Sequence, residues 1–532
     1  MRSRPLALAA CALTALAAAT PAAAADTARS VEVQILGLND LHGNLEPPAK
    51  VDGRSVGGVA YLGSHLDAAR ADNPNGTITV HAGDVVGASP LISSWFHDEP
   101  TILATNLMRF DVGTLGNHEF DEGGPEMLRL IKGGHRTDGK QVKNGEDTSD
   151  PQFPGAAYPY ISANVVDART GKPILPPTAI VKRKGVKVGF IGVTTLETPQ
   201  IVVPDAVAPF RFLDISDTVN RYAAQLQRKK VNAIVVVAHA GGEQTSAHEA
   251  VGEIFAEAAQ MAPSVDAIVA GHSHSLINTT VAGKLIVEGY RYGTAFDQMT
   301  LRISRRTGDV VEKSATIVPA WNDAVRPDAE LEGLVQRFKD RITPLSSQVV
   351  GTTTGAVTRS ATAAGESALG DLIADAQRTV MGTDIALMNP GGIRADLAAG
   401  DLTFGALFSV QPFDNGMVTT TLTGARIRQA LEQQFSGTPP KILQVSGLTW
   451  RRAGSTVEDV MVGDQPLDDT RSYTVAMNSF LATGGDGFSA LAGGTGTTSN
   501  GSDLDALVAY VKGLPQPFTA PDPRTTPRIT GG

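Results

Sequence analysis

Residues 116–121 read Gly116-Asn117-His118-Glu119-Phe120-Asp121, and they follow directly on an apolar run at residues 110–115. The apolar run predicts a β-strand. An amide, an imidazole and two carboxylates therefore come together where a strand passes into a loop. Proteins of the α/β class hold their ligands and catalytic groups at such strand ends, so this stretch predicts both the fold class and the position of the site.

Four more apolar runs, at residues 31–38, 77–82, 233–238 and 267–270, end in the same kinds of side chain. The polar residues that follow them are Asp40 and His42, then Asp84, then His239, and finally His272 and His274. Continuous apolar strands that alternate with helical patterns predict parallel strands buried on both faces.

Together with Asn117, these side chains make seven oxygen and nitrogen donors with no sulfur among them. That donor set suits Zn²⁺, Mn²⁺, Mg²⁺ or Fe rather than Cu⁺. Seven ligands are too many for one ion but fit two divalent ions that share one carboxylate, for which Asp84 from a central strand is the natural bridge. Two ions about 3.5–4 Å apart clamp a phosphoryl oxygen and hold a hydroxide for attack on phosphorus. A single ligand pair of this kind more often has a structural role. The prediction of a metal site therefore depends on all five strand ends carrying such side chains, one after another along the chain.

The ordered set at residues 40–42, 83–84, 116–119, 239 and 271–274 resembles that of the calcineurin-like metallophosphoesterases. The order Asn-His-Glu-Phe-Asp at 117–121 and the second half of the chain are similar to the secreted 5′-nucleotidase family, which includes UDP-sugar hydrolases and 2′,3′-cyclic-nucleotide phosphodiesterases. The resemblance implies an α/β chain with an N-terminal αββα metallophosphoesterase sandwich (30–322), a linker helix (323–348) and a C-terminal α/β nucleotide-binding domain (349–532). The polar stretch 133–154 predicts a surface insertion in the first domain.

The resemblance also implies one ion on Asp40, His42, Asp84 and His274 and a second on Asp84, Asn117, His239 and His272. It implies that His118 faces the phosphate instead of a metal, stabilises charge in the transition state and assists the leaving oxygen. Asp121 would orient the ring of His118, and it also fits the N-cap of a following helix. Glu119 receives no role.

For the second half, the resemblance implies a clamp for the nucleoside. Asn389 and Arg394 match an Asn-x-Gly-Gly-Ile-Arg motif that contacts phosphate or ribose. Phe413 and Phe480 match two aromatic side chains that stack on the base, although core packing alone also explains two phenylalanines. Asp486 matches a carboxylate that holds the ribose hydroxyls. An arginine of the nucleotide-specific members is missing at residues 365–366, and Arg359 is the nearest substitute.

The first 25 residues have the form of a secretory signal peptide, with Arg2 and Arg4 ahead of an Ala-rich apolar core and small residues at 23–25. Cys11 offers an alternative lipoprotein signal, but the apolar run ahead of it, residues 5–10, is shorter than the usual span of about 7–15 residues, which favours the cleaved signal peptide. As the single cysteine, it leaves the expected mature chain without disulfides or thiolates. The net charge of −10 argues against nucleic-acid polymers and anionic membranes as partners, and no second apolar run could span a bilayer.

The expected function is removal of the 5′-phosphate from nucleotides by a hydroxide that two metal ions activate, in a secreted protein. UDP-sugars, dinucleotides such as NAD and 2′,3′-cyclic nucleotides are alternative substrates. An inactive nucleoside-binding surface protein is the alternative from another functional class. The linker helix is the expected hinge between the two domains.

Overall fold

The computed structural model describes residues 29–51, 53–143, 146–245, 249–413, 415–437 and 439–532. The expected signal peptide and Cys11 lie outside these residues. Among the helices of the described part, none is long and apolar enough to cross a membrane.

Two six-stranded sheets form the N-terminal domain. The first has the strand order Val310–Pro319, Ala295–Ser304, Ser30–Leu38, Thr77–His81, Val112–Thr114 and Tyr160–Ile161. The second has the order Thr178–Arg183, Val186–Thr194, Ala233–His239, Ala267–Val269, Lys284–Gly289 and Leu276–Val281. The inner strands of both sheets are parallel, and every residue of Ala233–His239 is buried, as the continuous apolar run predicts.

The two sheets pack face to face and a layer of helices covers each outer face. Ile35 and Val80 of the first sheet meet Val188 and Val235 of the second in one buried cluster. The helices over the first sheet are Val59–Asp72, Glu99–Leu107, Gly123–Lys132 and Ala329–Ser346; those over the second are Ile215–Arg228 and Glu253–Gln260. This arrangement confirms the predicted αββα sandwich.

The strand register brings the predicted polar strand ends to one edge of each sheet. In the first sheet Leu38 lies opposite His81, and His81 lies opposite Gly113. In the second sheet Thr194 lies opposite His239. Because parallel strands end level with one another, the loops that follow them share the same edge.

The helix Ala329–Ser346 connects the two halves of the chain and begins at Asp328, whose side chain accepts hydrogen bonds from the amides of Glu330 and Leu331. It buries Leu331 and Phe338 against the N-terminal domain, and the ring of Phe338 lies 4.9 Å from that of Phe96. The hinge expected at this helix stays a prediction.

The C-terminal domain is also α/β. Its main sheet has the order Gln444–Ser446, Ile385–Met388, Ser472–Asn478, Gly416–Thr423 and Thr495–Ser502, and a second sheet has the order Gln465–Pro466, Thr456–Val462, Leu448–Ala453 and Ile529–Gly531. The longer helices are Ala368–Met381, Phe404–Val410, Gly424–Gln433 and Asp503–Gly513. The predicted α/β class is thus confirmed for both halves.

The stretch predicted as a surface insertion, 133–154, is partly buried in the part that the structure describes. Arg136, Thr148 and Ser149 are all buried. The segment is polar because its charged groups pair with one another and with the domain, so composition alone predicted too much exposure.

Candidate active site

Five of the seven candidate metal donors have a backbone conformation that residues other than glycine rarely adopt. The φ angle is +48° at Asp40, +45° at His42, +47° at Asp84, +82° at His272 and +58° at His274. Conformations of this kind cost about 1–3 kcal/mol each and are concentrated at functional sites. Here each one lies within a few residues of a strand end and turns the side chain toward the other donors.

Asp40, His42 and His274 form the first group of donors. Nε2 of His274 lies 3.3 Å from Oδ1 of Asp40 and 3.2 Å from Nε2 of His42. The ligand atoms of all three residues lie within 4.8 Å of one another. The structure therefore brings together the three unshared donors of the first predicted ion.

Asp84, His239 and His272 form the second group of donors, and their ligand atoms also lie within 4.8 Å of one another. Oδ1 of Asn117 joins it, 3.0 Å from Nε2 of His239. Oδ2 of Asp84 is 3.2 Å from Nε2 of His239 and 3.6 Å from Nε2 of His42. A single carboxylate oxygen thus reaches both groups, which is what a bridging ligand between two ions requires.

The hydrogen bonds behind the imidazoles fit metal ligation. Nδ1 of His42 donates to the carbonyl of Gly87 and Nδ1 of His239 donates to the carbonyl of Ala82, both at 2.8 Å. In the neutral form of each ring, which is the form that binds a metal, these bonds keep the proton on Nδ1, so the lone pair of Nε2 faces the other donors. The donor set therefore fits divalent cations.

The electrostatics of the group also fit cations. Burial raises the pKa of Asp40, but the facing His274 imidazole outweighs it and holds that pKa below its ordinary range. Burial likewise raises the pKa of Asp84. The facing His239 imidazole outweighs burial and holds that pKa well below its ordinary value. Burial lowers the pKa of His239, yet Asp84 raises it to about 10. Two buried carboxylates that stay ionised need positive charge beside them.

His118 and Asp121 form a pair at the mouth of this group. Nδ1 of His118 lies 2.7 Å from Oδ2 of Asp121. Burial lowers the pKa of His118, but Asp121 and Asp84 outweigh burial and raise the pKa above its ordinary value. His118 also lies within ligand distance of His42 and Asp84. The N-cap interpretation of Asp121 is wrong, because the following helix begins at Gly123 after Glu122 and has no side-chain cap.

Glu119 receives no role from its sequence context, and the structure shows what it contacts. Its buried carboxylate accepts hydrogen bonds from the backbone amides of Asp84 at 2.9 Å, Val85 at 3.0 Å and Gly116. Burial, with the nearby Asp84, raises the pKa of Glu119 to about 7. One side chain therefore ties the loop that carries Asp84 to the loop that carries Asn117 and His118.

We expect the Glu119→Gln variant to bind metal about 10–100-fold more weakly than the parent protein, the usual effect of losing a residue that orients metal ligands. The amide nitrogen of the glutamine would face backbone N–H groups, so the two loops would separate. Competition with a chromogenic chelator measures the affinity, and Glu312→Gln, on an exposed surface pair with Arg302, is the control. An unchanged affinity would show that Glu119 serves only local folding.

A cavity of ≈ 600 Å³ opens between the two domains over the candidate metal donors. All five predicted substrate residues line it: Asn389, Arg394, Phe413, Phe480 and Asp486. From the N-terminal domain it is lined by Asp84, Asn117, His118, Asp121, His272 and His274. The remaining donors, Asp40, His42 and His239, are buried behind them.

Within the C-terminal wall, Asn389 and Asp486 lie in direct contact. Nδ2 of Asn389 donates to Oδ2 of Asp486 at 2.9 Å, and its Oδ1 accepts from Nδ2 of Asn478 at 2.9 Å. Nζ of Lys441 donates to the other oxygen of Asp486 at 2.8 Å. No sequence motif marks Lys441 and Asn478, because their partners Asp486 and Asn389 lie 45 and 89 residues away along the chain.

The two predicted aromatic residues have different surroundings. The ring of Phe413 stacks on the ring of His118 at 5.8 Å with an angle of 16°, and the guanidinium of Arg394 lies 5.7 Å above Phe413. The ring of Phe480 packs against Gly485, where an added Cβ would approach within 2.5 Å. Phe480 therefore has its observed position only because residue 485 has no side chain.

Arg359 does not replace the missing family arginine in the cavity wall. It donates to the carbonyl of Ile393 at 3.2 Å and pairs with Asp396, and it does not line the cavity. Glu366, at the position in question, points inward and accepts hydrogen bonds from the amides of Arg528 and Ile529. It anchors the C-terminal segment instead.

Two models of known protein families match the chain, one for each of its halves. Residues 33–276 match the family model of calcineurin-like phosphoesterases, and residues 349–493 match that of the 5′-nucleotidase C-terminal domain. The chain is 35% identical over 501 residues to Endonuclease YhcR of Bacillus subtilis, covering 92% of this chain but only 40% of that protein's length. It is 36% identical over 553 residues to Cell wall protein Lmo0130 of Listeria monocytogenes, covering 93% of this chain and 68% of that protein.

The solved structure of a 5′-nucleotidase precursor from Thermus thermophilus is similar over 94% of this chain and 99% of its own, with a TM-score of 0.78 and 28% sequence identity. Fold and donor chemistry therefore define a class, the metal-dependent phosphoester hydrolases built on a calcineurin-like domain. Within that class the chain belongs to the 5′-nucleotidase family, because its two halves match both of that family's domains in order. Divalent metal ions are the cofactors that this fold implies.

Proposed function

We propose that the chain is a secreted hydrolase that removes the 5′-phosphate from nucleotides. One observation carries this proposal: a single cavity is lined by candidate metal donors of one domain and by Asn389, Arg394, Phe413 and Phe480 of the other. Oxygen and nitrogen donors suit a phosphoryl group, and aromatic rings suit a base. The similarity to the Thermus thermophilus 5′-nucleotidase precursor supports the same interpretation.

One ion would bind Asp40, His42, Asp84 and His274, and the other Asp84, Asn117, His239 and His272. When bound, the two ions supply Lewis-acid polarisation of the phosphoryl oxygen and activation of the attacking water. The protein's own contribution is to orient these donors through the carbonyls of Gly87 and Ala82 and the carboxylate of Glu119.

His118 would supply a proton to the leaving oxygen. Asp121 accepts from its Nδ1, which leaves Nε2 to face the phosphate. Arg394 lines the same cavity and would neutralise charge on the phosphoryl oxygens. Phe413 and Phe480 would hold the base, and Asp486, fixed between Asn389 and Lys441, would accept from the ribose hydroxyls.

Two observations favour a second substrate class. One relative is named an endonuclease, and that name describes cleavage of phosphodiesters rather than monoesters. Glu366 also stands in the region where the nucleotide-specific members of the family have an arginine, and Arg359 does not line the cavity in its place. UDP-sugars, dinucleotides and 2′,3′-cyclic nucleotides are therefore the alternative substrates.

Steady-state rates on AMP, UDP-glucose and 2′,3′-cAMP test the proposal. We expect AMP hydrolysis that chelation abolishes and that Mn²⁺ or Zn²⁺ restores. Turnover of UDP-glucose or 2′,3′-cAMP without AMP would contradict the monophosphatase proposal. A protein that binds nucleoside but releases no phosphate from any of them with either metal would be the inactive binding protein instead.

Secretion is proposed from the N-terminal residues and from the name of the cell wall relative. Expression of the full chain in a secreting host should deliver the protein to the medium or cell surface with cleavage near Ala25. An intact N-terminus on protein confined to the cell interior would contradict it.

We expect Gly485→Ala to raise KM for AMP about five- to tenfold, because the new methyl group displaces the Phe480 ring and weakens a base stack worth about 1–3 kcal/mol. KM for p-nitrophenyl phosphate, which has no nucleobase, should stay unchanged. Gly437→Ala is the matched control, since its added Cβ meets nothing nearer than 4.0 Å. Equal effects on both substrates would contradict a base-binding role for Phe480.

A further inference from the structure

A loop made of Tyr290, Arg291 and Tyr292 lies beside the first group of donors. Tyr290 and Tyr292 have φ angles of +58° and +60°, a conformation that residues other than glycine rarely adopt. Backbone hydrogen bonds hold both residues. The amide of Tyr292 donates to the carbonyl of Asp40 at 2.7 Å, and the amide of Tyr290 donates to the carbonyl of Ser275 at 3.0 Å. The loop therefore fixes the point from which the side chain of Arg291 extends.

Arg291 contacts one of the candidate metal donors directly. Its Nη1 donates a hydrogen bond to Nδ1 of His274 at 3.2 Å, and its Cζ lies 4.9 Å from the centre of the Tyr292 ring. A guanidinium has hydrogen-bond donors only, so Nδ1 of His274 is the acceptor and the proton of the neutral ring is on Nε2. That nitrogen lies 3.3 Å from Oδ1 of Asp40. The hydrogen bonds therefore run in one direction, from Arg291 through His274 to Asp40.

His274 differs in this respect from His42 and His239. Nδ1 of each of those two rings donates to a backbone carbonyl, which leaves the lone pair of Nε2 for a cation. A cation on Nε2 of His274 would likewise require the ring proton on Nδ1, and the N–H groups of Arg291 cannot accept a hydrogen bond from it. The hydrogen bond from Arg291 and ligation through Nε2 of His274 thus exclude each other.

The charges beside the two histidines of the 271–274 segment are also opposite. Within the part of the chain that the structure describes, no carboxylate forms an ion pair with Arg291, so its positive charge lies beside His274 without a compensating anion. Oε2 of Glu197 lies 3.7 Å from Nε2 of His272, a member of the second group of donors. A carboxylate attracts a nearby cation and a guanidinium repels it. Charge and hydrogen bonding therefore both disfavour the first ion relative to the second.

We propose that Arg291 is a positioning residue that opposes cation binding at His274, so that the ion held by the first group of donors binds more weakly than the ion held by the second. This proposal rests on the function proposed above, because it concerns one of the two ions of that site. Arg291 has to leave Nδ1 of His274 when the first ion binds. Its side chain is exposed and can move away without disturbing the core. The lost hydrogen bond and the approach of two positive charges weaken binding.

A titration with Mn²⁺ alone, on the full chain after its metal has been removed by chelation and dialysis, tests the proposal. We expect the parent to bind two ions in separate steps, with dissociation constants that differ about tenfold or more. Arg291→Met removes the hydrogen bond and the charge, and it should lower the larger dissociation constant about three- to tenfold. Arg291→Gln should lower it at least as much, because its Oε1 can accept from Nδ1 of His274. Electron paramagnetic resonance of the free Mn²⁺ measures both constants.

The smaller dissociation constant should stay unchanged in both Arg291 variants, because the second group of donors does not include His274. Arg221→Met is the matched control. It removes an exposed arginine that also lies against a tyrosine ring, that of Tyr222 at 4.7 Å, but that does not line the cavity. That control should change neither constant.

Other outcomes separate this proposal from the proposed function. If the parent binds two ions with equal affinity, or if neither step changes in the Arg291 variants, the role of Arg291 is wrong and the two-metal site stands. A shift of both steps by the same factor would also overturn it, because long-range charge acts on two ions about 3.5–4 Å apart alike. If the parent binds no Mn²⁺ at any concentration, the metal-dependent function fails together with this proposal.

Discussion

The Asp84→Asn variant should lose about a thousandfold or more in kcat on any phosphoester that the parent hydrolyses, equivalent to about 4 kcal/mol of transition-state stabilisation. Oδ2 of Asp84 faces His239 at 3.2 Å and His42 at 3.6 Å, so one oxygen serves both groups of donors. An amide oxygen carries no net negative charge to share between two cations, and the NH2 group of the asparagine would repel them. Metal content should fall from two ions per chain to one or fewer.

Inductively coupled plasma analysis of the purified variant measures that stoichiometry, and initial rates at saturating Mn²⁺ measure kcat. Asp309→Asn, at an exposed turn outside the cavity, is the control for the same chemical change. A thermal unfolding scan separates a lost metal from a lost fold. Two bound ions and full activity in Asp84→Asn would exclude the bridging role.

The candidate metal donors can be predicted from the sequence because each one is marked by its immediate neighbours along the chain. Each donor lies within a few residues of an apolar strand, and parallel strands end at a common edge. Once the strands are identified, the meeting of Asp40, Asp84, His239 and His274 follows from topology. The left-handed backbone at five of the seven donors, by contrast, is visible only in the structure.

The strands that no sequence pattern marks have a different property in common. The strands Thr178–Arg183 and Leu276–Val281 lie at the edges of the second sheet, and their residues alternate between partly buried and exposed positions. Edge strands owe their conformation to pairing with a neighbour, here Val186–Thr194 and Lys284–Gly289. No continuous apolar run marks them.

Polar residues that act at long range are equally hard to predict. The polar neighbours of Arg136 indicate an exposed segment, but Arg136 itself is buried, where it pairs with the exposed carboxylates of Glu122 and Asp138 and with the buried ring of His97. Lys441 contacts Asp486 only because two loops of the C-terminal domain converge. Such pairs depend on the tertiary fold, and composition cannot distinguish them from solvated surface charges.

The His118→Gln variant should lose about 10²–10⁴-fold in kcat while it retains both metal ions, because general acid catalysis contributes that much. Asp121 holds Nδ1 of His118 at 2.7 Å, and only Nε2 remains for the phosphate. Glutamine keeps the polarity of the position but cannot deliver a proton. The loss should be smallest for p-nitrophenyl phosphate, whose leaving group needs no proton.

Metal content decides between the two roles that the geometry allows for His118. The residue lies within ligand distance of His42 and Asp84, so a variant that lost one ion would identify it as a ligand. Retention of two ions with loss of kcat would identify it as the acid. His135→Gln removes a second imidazole that pairs with a carboxylate, Asp147 at 2.8 Å, on the surface of the same domain. That control should change neither quantity, since His135 does not line the cavity.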